Sequence, residues 1–353
     1  MITPHTLTRE WILQVSREHE ADTGLVEKLN RALYLLEGLV ESNLDFIFKG
    51  GTALVLHFNA SRRLSIDIDI VMPNQSDLLN VVKEIAQKKQ FIDVQAQPRL
   101  TNDSIQKAHY KFYYTSTMGP GSLQYILLDV LFAPIGYSNI VKLPITASFL
   151  NEEGVVLEVA VPSIEDLLGD KMTAFAPNTT GIPYFKKSVS SSMEIIKQLY
   201  DIGQLFDSAH NIGNVAQTFE KLATQQLSYR NLDSNIEKVL DDIHDTALII
   251  SSKGAEGKGK NNYDELLKGV TRIKSYIFSE SYHIEKAIIQ ASKAAYLAAL
   301  IRSQQVHIQR FTDPEALRDW EIKQPFPTKL NKLKKTNPEA FFYWYQVSLF
   351  QSS

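Results

Sequence analysis

The chain contains no cysteine, which excludes disulfides, thiolate metal sites and cysteine nucleophiles together. No apolar run approaches the ~18 residues needed to cross a bilayer. The N-terminal stretch MITPHTLTREWILQVSREHE lacks the basic and then apolar regions of a secretory signal, so a cytoplasmic location is expected. Charge of one sign is not in excess: 37 Lys and Arg stand against 40 Asp and Glu, a net −3. Such a balance neither requires nor forbids a nucleic-acid partner, because a basic patch can sit on a nearly neutral protein. The 8 histidines are scattered, with no H-E-x-x-H or H-x-x-x-H arrangement, so a zinc site is not expected. What remains is a chain of 353 residues with 44% hydrophobic content, enough for one large domain or two ordinary ones around a sizeable core.

Apolar periodicity predicts helices over 6–18 and 23–42, the second carried by Leu25, Leu29, Leu33, Leu36 and Val40. Strand signals follow at 46–48, 66–71, more weakly at 91–97, and at 105–117 and 123–132, with a helix over 76–89 between strands. The segment Met118-Gly119-Pro120-Gly121 reads as a hairpin turn. Beyond Pro162 the periods become helical almost to the end, beginning with Ser163 and Asp166 as a capping pair. Two soft stretches interrupt them, 177–192 and the mobile loop SSKGAEGKGKNN at 251–262. The expectation is an α+β first domain over 1–160 and a helical second domain over 161–353.

The chemistry concentrates in FIFKGGTALVLHFNASRRLSIDIDIV, residues 46–71. Alternation along a strand would turn Asp67 and Asp69 to one face and Ile66, Ile68 and Ile70 to the other. Two carboxylates so close repel unless one is protonated or a cation lies between them. A hard divalent ion such as Mg2+ or Mn2+ resolves that conflict and keeps positions for phosphate oxygens. An edge strand with two solvated acids is the bland alternative. Upstream, a strand ending at Lys49 runs into Gly50-Gly51 and a helix start at Thr52. That arrangement presents backbone N–H groups to a phosphate, and a Cβ there would block close approach.

A glycine turn followed by a D-x-D strand resembles the DNA polymerase β-like nucleotidyltransferase superfamily. More closely, FKGGTAL with RLSIDIDI resembles the AbiEii/AbiGii toxin family, through Gly50, Gly51, Thr52 and Leu54, then Arg63, Ser65, Asp67 and Asp69. The resemblance implies a mixed sheet with flanking helices and a helical C-terminal domain. It also implies an NTP substrate held at Lys49, Gly50, Gly51, Thr52, Arg63 and Ser65, with Asp67 and Asp69 as metal ligands. The superfamily adds a third carboxylate on a later strand. Asp129 is the candidate, being the only charge in the apolar run 123–132, where an unpaired carboxylate would be costly. Alternatively it marks a strand end or pairs with an arginine.

In the helix starting at Ile164, Lys171 falls on the apolar face with Leu167, Leu168, Met172 and Phe175, where it must snorkel, pair or meet an anion. The resemblance makes it the lysine of a third motif, whose second part is represented by Lys197-Gln198-Leu199-Tyr200-Asp201. Glutamine at 198 departs from the acid usual there; Asp201 matches. Periodicity alone makes Asp201 a solvated residue, beside Lys197 one turn earlier. Lys329, Lys332, Lys334 and Lys335 with the aromatics 341–345 offer either a nucleic-acid surface or a solvated face over a core, and Lys186 and Lys187 have similar standing.

The expected function is metal-dependent transfer of a nucleotide from an NTP to an acceptor. The resemblance points to the tRNA 3′ acceptor end, within a type IV toxin–antitoxin or phage-defence system with a neighbouring-gene antitoxin. Asp129 would deprotonate or orient the acceptor hydroxyl, and Lys171 would balance phosphate charge. The alternatives are transfer to a protein or small molecule, or a non-catalytic nucleotide-binding module.

Overall fold

A computed structural model describes residues 1–58, 62–73, 78–97, 106–119, 121–278 and 280–350. The chain divides into two units: Met1–Ser163 with Ser275–Ser281, and Ile164–Lys274 with Tyr282–Ser353. In the first, the elements run α1 (Arg9–Glu18), α2 (Thr23–Glu41), β1 (Ile47–Lys49), α3 (Gly50–His57), β2 (Ile68–Met72), α4 (Leu78–Lys88), β3 (Asp93–Ala96), β4 (Gln106–Thr115), β5 (Leu123–Phe132), β6 (Ile140–Pro144) and β7 (Glu158–Pro162). The expected helix start at Ser76, strand start at Ile105 and turn residue Pro120 lie outside the described residues.

Five strands form one mixed sheet in the order β1-β2-β5-β4-β3. Only β2 and β5 run parallel; the other neighbours are antiparallel. Period-two alternation gives the sheet two unlike faces. Ile68, Ile70, Tyr110, Phe112, Tyr114, Ile126, Leu128 and Val130 are buried and share a core with Leu29, Leu33 and Leu36 of α2. The residues between them, from Asp69 on β2 to Tyr113 on β4 and Tyr125 on β5, lie on the other face and are half-buried or exposed. The β4–β5 turn is anchored from beneath, where Glu27 of α2 accepts hydrogen bonds from Ser116 Oγ (2.6 Å) and Thr117 N (2.7 Å). A buried ion pair, Lys89 Nζ to Glu37 Oε2 at 2.6 Å, ties the end of α4 to α2.

The second unit contains α5 (Ile164–Ala174), the short ribbon β8 (Phe185–Lys186) and β9 (Val189–Ser190), then α6 (Ser192–Ser208), α7 (Ile212–Tyr229), α8 (Ile236–Ser251), α9 (Tyr263–Arg272), α10 (Ile284–Arg302), α11 (Leu333–Thr336) and α12 (Pro338–Phe350). Helix α10 is apolar nearly all round and packs against α6, α8 and α12, as a helix with no solvated face must. Ser252–Gly259 is a run of hydrogen-bonded turns, with Gly254, Gly257 and Gly259 at positive φ. Phe341, Phe342, Tyr343 and Trp344 of α12 are buried. These four are core rather than a surface beside the lysines 329–335, whereas Tyr345 is half-buried and stacks on Trp320 at 4.4 Å. No helix among the described residues is long and apolar enough to cross a membrane.

Candidate active site

Strand register assembles the first unit's site. Lys49 stands opposite Asp69 on the β1–β2 pair, and Asp69 beside Asp129 on the parallel β2–β5 pair. Asp129 in turn stands opposite His109 on β5–β4. Side chains in register share a face, so a row with two acids between two basic residues crosses four strands: lysine, aspartate, aspartate, histidine. Adjacent strands are ~4.8 Å apart, which makes the two central carboxylates neighbours that repel unless a cation or proton intervenes.

Asp67 is placed differently from expectation. The strand begins at Ile68, so Asp67 sits in the extended segment just before it and is exposed, whereas Asp69 is half-buried within the strand. The buried Ile68 and Ile70 fill the opposite face. Thr52, fully buried in the first turn of α3, donates its hydroxyl to the Asp67 carbonyl oxygen at 2.6 Å. That bond pins the backbone of the first acid to the glycine turn and commits the threonine side chain to holding the loop.

Gly50 has φ +80°, a left-handed conformation open to glycine at little cost. A Cβ built on it would lie 2.2 Å from Asp69 Oδ2, so the turn's backbone and the second acid are in direct contact. A Cβ on Gly51 would lie 2.6 Å from an Arg63 guanidinium nitrogen and 2.8 Å from Ser65 Oγ. The structure therefore brings Gly50, Gly51, Arg63, Ser65 and Asp69 into one cluster. Arg63 is 4% exposed, and its segment is held by backbone pairing, with Leu64 N donating to Tyr276 O (2.8 Å) and Phe278 N to Arg62 O (2.9 Å). Lys49 lies over the Tyr137 ring, 5.6 Å from its centroid.

His109 is the site residue that the sequence reading missed. Its Nδ1 hydrogen bonds Asp129 Oδ1. Asp129 thus has a basic partner, but the partner is a histidine of the next strand and not an arginine. Its local sequence signal is a polar residue within 105–117, outside any metal-type histidine spacing.

A divalent ion suits the donor set, which is carboxylate oxygen throughout. Among the described residues no group of three or more Asp, Glu or His side chains forms a ready metal cage. One or two carboxylates with waters and substrate phosphates are, however, the usual way to hold Mg2+.

Lys171 and Asp201 belong to the second unit. Lys171 Nζ pairs with Asp201 Oδ2 at 2.8 Å, both side chains buried. Asp201 is 1% exposed, so the expectation of a solvated residue is overturned. Helix α6 packs against α5, α9 and α10, leaving no open side for a residue off its main apolar stripe. Gln198 is half-buried and donates to the Glu194 carbonyl oxygen (3.3 Å). Lys186 lines a cavity of this unit with Asp170, Thr173, Gly181 and Arg230. Burial lowers the Arg230 pKa, and its guanidinium is engaged by the carbonyls of Thr179 and Gly181.

The family model described as Nucleotidyl transferase AbiEii toxin, Type IV TA system, matches residues 32–274. No curated protein matches the chain. Among solved structures, a chain assigned as a nucleotidyltransferase from H. pylori is similar at 15% identity and TM-score 0.40, over 79% of this chain and 94% of that one. An antigenic nucleotidyltransferase-like protein from Paracoccidioides brasiliensis is similar at 15% identity and TM-score 0.36, over 60% and 92%. At these scores the structural likeness carries no argument of its own, and the family match, which spans most of the chain, stands without it.

Proposed function

The chain belongs to the AbiEii family of nucleotidyltransferase toxins of type IV toxin–antitoxin systems, and on that premise we propose that it transfers a nucleotide from an NTP to the 3′-terminal hydroxyl of an RNA, most simply tRNA. The observation that carries this reading is the register of Asp69 with Asp129 on adjacent strands, next to a glycine turn in contact with Asp69.

The triphosphate lies on the turn of Gly50, Gly51 and the Thr52 backbone, with Lys49, Arg63 and Ser65 around it. Asp67 and Asp69, with Asp129 beside them, would hold Mg2+ or Mn2+, which would neutralise charge on the triphosphate and on the leaving pyrophosphate. The acceptor hydroxyl oxygen bonds to the α-phosphorus as the bond to the bridging β-phosphate oxygen breaks. Asp129 takes the hydroxyl proton, and His109 holds one of its oxygens in place so that the other faces the acceptor. Within the helical unit Lys171 is ion-paired with Asp201, and the resemblance assigns that lysine to phosphate. The setting is cytoplasmic growth inhibition or phage defence, opposed by a neighbouring-gene antitoxin that need not form a stable complex.

Purified protein incubated with a divalent cation, each α-labelled NTP in turn and total bacterial tRNA tests the reading. Wild type should label tRNA with one preferred nucleotide. Asp69→Ala and Asp67→Ala should lose about a hundredfold or more while remaining folded, as expected when several kcal/mol of transition-state charge stabilisation is removed. Near-normal turnover in either variant would overturn the mechanism.

A further inference from the structure

The open face of the sheet continues past the row of acids into an aromatic and basic patch to which the mechanism assigns no work. Tyr113 and Tyr125 stand in register on β4 and β5, with ring centroids 6.0 Å apart. Lys111, one position nearer the acids on the same face, lies with Nζ 4.4 Å from the Tyr125 ring centroid. Tyr125 is 44% exposed, large for an aromatic with an apolar payload to bury. At the patch's outer edge, Asp93 stands opposite Tyr113, its carboxylate occupied by Val94 N and Gln95 Nε2.

The position of the patch says what would cover it. Tyr125 and Asp129 are on one strand and one face, four residues apart, about 13 Å at the rise of an extended chain. Lys111 and Leu127 occupy the step between, opposite one another. The tyrosine pair therefore lies two same-face steps, of about 6.6 Å each, from Asp129. We infer that Tyr113, Tyr125 and Lys111 form a stacking platform for the single-stranded 3′ end of the acceptor RNA, whose terminal hydroxyl is at Asp129. Rings that accept any base by stacking, with a lysine for the backbone, are how single strands are gripped without base-pair readout. A duplex cannot use such a platform, because its bases are already stacked on each other. The inference rests on the nucleotidyl-transfer reading for the identity of the bound end, though the platform has its own binding readout.

The experiment compares wild type, Tyr113→Ala/Tyr125→Ala, Tyr125→Phe and Asp69→Ala in two assays. One measures label transfer, with KM determined separately for acceptor and NTP. The other is fluorescence anisotropy with a 5′-labelled single-stranded RNA tetramer, challenged by unlabelled single strand or blunt duplex. The double variant should raise the acceptor KM and the tetramer Kd by about tenfold or more, in line with base–aromatic stacking. The KM for NTP should stay unchanged, which also certifies the fold. Tyr125→Phe should behave as wild type, Asp69→Ala should bind the tetramer without turning over, and only the single strand should compete. An unchanged acceptor KM and Kd in the double variant, or equal competition by duplex, would overturn the platform while leaving the transfer chemistry standing. Failure of wild type to label any RNA would instead overturn the transfer reading, and the anisotropy arm would still decide the platform.

Discussion

At Gly50 two constraints coincide, a backbone φ of +80° and the Asp69 carboxylate where a Cβ would go. At Gly51 only the second kind applies, from a guanidinium nitrogen of the buried Arg63 at 2.6 Å and from Ser65 Oγ at 2.8 Å. The consequences should differ in size. Gly50→Ala should cost about 1–3 kcal/mol in a urea unfolding experiment, because strain and clash act together. It should also abolish transfer by displacing Asp69. Gly51→Ala, which gains helix propensity in the first turn of α3 against part of its clash with Arg63 and Ser65, should cost less stability than Gly50→Ala. It should weaken NTP binding through Arg63 instead. Equal losses in both variants would mean that the turn is not in contact with the acids as described. Residue by residue, the turn and Asp67, Asp69 and Asp129 were legible because each is an anomaly against its own neighbours: glycines after an apolar run, carboxylates among isoleucines and leucines. His109 is no anomaly in its segment. Its meaning comes from standing across from Asp129, and pairing between strands is not written in either strand alone.

On the scale of elements, the pair between α5 and α6 shows where periodicity succeeds and where it fails. Lys171 fell on the apolar face of α5 and is indeed buried there with a carboxylate partner. Asp201 was read from the stripe of one helix, but α6 is enclosed by three others, so the residue off the stripe is buried too. A single-helix moment describes a helix with one wet side and misjudges an interior one. Breaking this pair should be severe: Lys171→Met removes the ammonium 2.8 Å from the buried Asp201 carboxylate and should cost about 3–5 kcal/mol, read from the shift of the unfolding midpoint. Adding Asp201→Leu should recover much of that stability, since an apolar pair replaces a buried ionic one. Activity should stay lost in the double variant if Lys171 also serves phosphate. Recovered activity would reduce the pair to a structural tie.

Across the whole molecule, the mixed sheet and the change to helices after Pro162 were foreshadowed by the switch in hydrophobic period, from two to about 3.6 residues. The return of Ser275–Ser281 to the first unit was not, because a short segment packing far from its sequence neighbours leaves no local period. Its bonds are specific: Tyr276 and Phe278 pair with the backbone around Arg63, and the Phe278 ring packs edge-on against Phe149 at 5.5 Å. The first unit is therefore completed by residues that follow most of the second in sequence. It follows that the segment carrying Arg63 depends on an anchor more than 200 positions away, as Arg63↔Ile277 shows. Phe278 is 8% exposed, so Phe278→Ala should lower stability by about 3–5 kcal/mol, the usual cost of emptying a buried phenylalanine site. It should also raise the KM for NTP, because Arg63 lies against Gly51 from the segment that Phe278 secures. A loss below about 1 kcal/mol with an unchanged KM would mean that Ser275–Ser281 merely rests on the surface, and that the first unit is complete at Ser163.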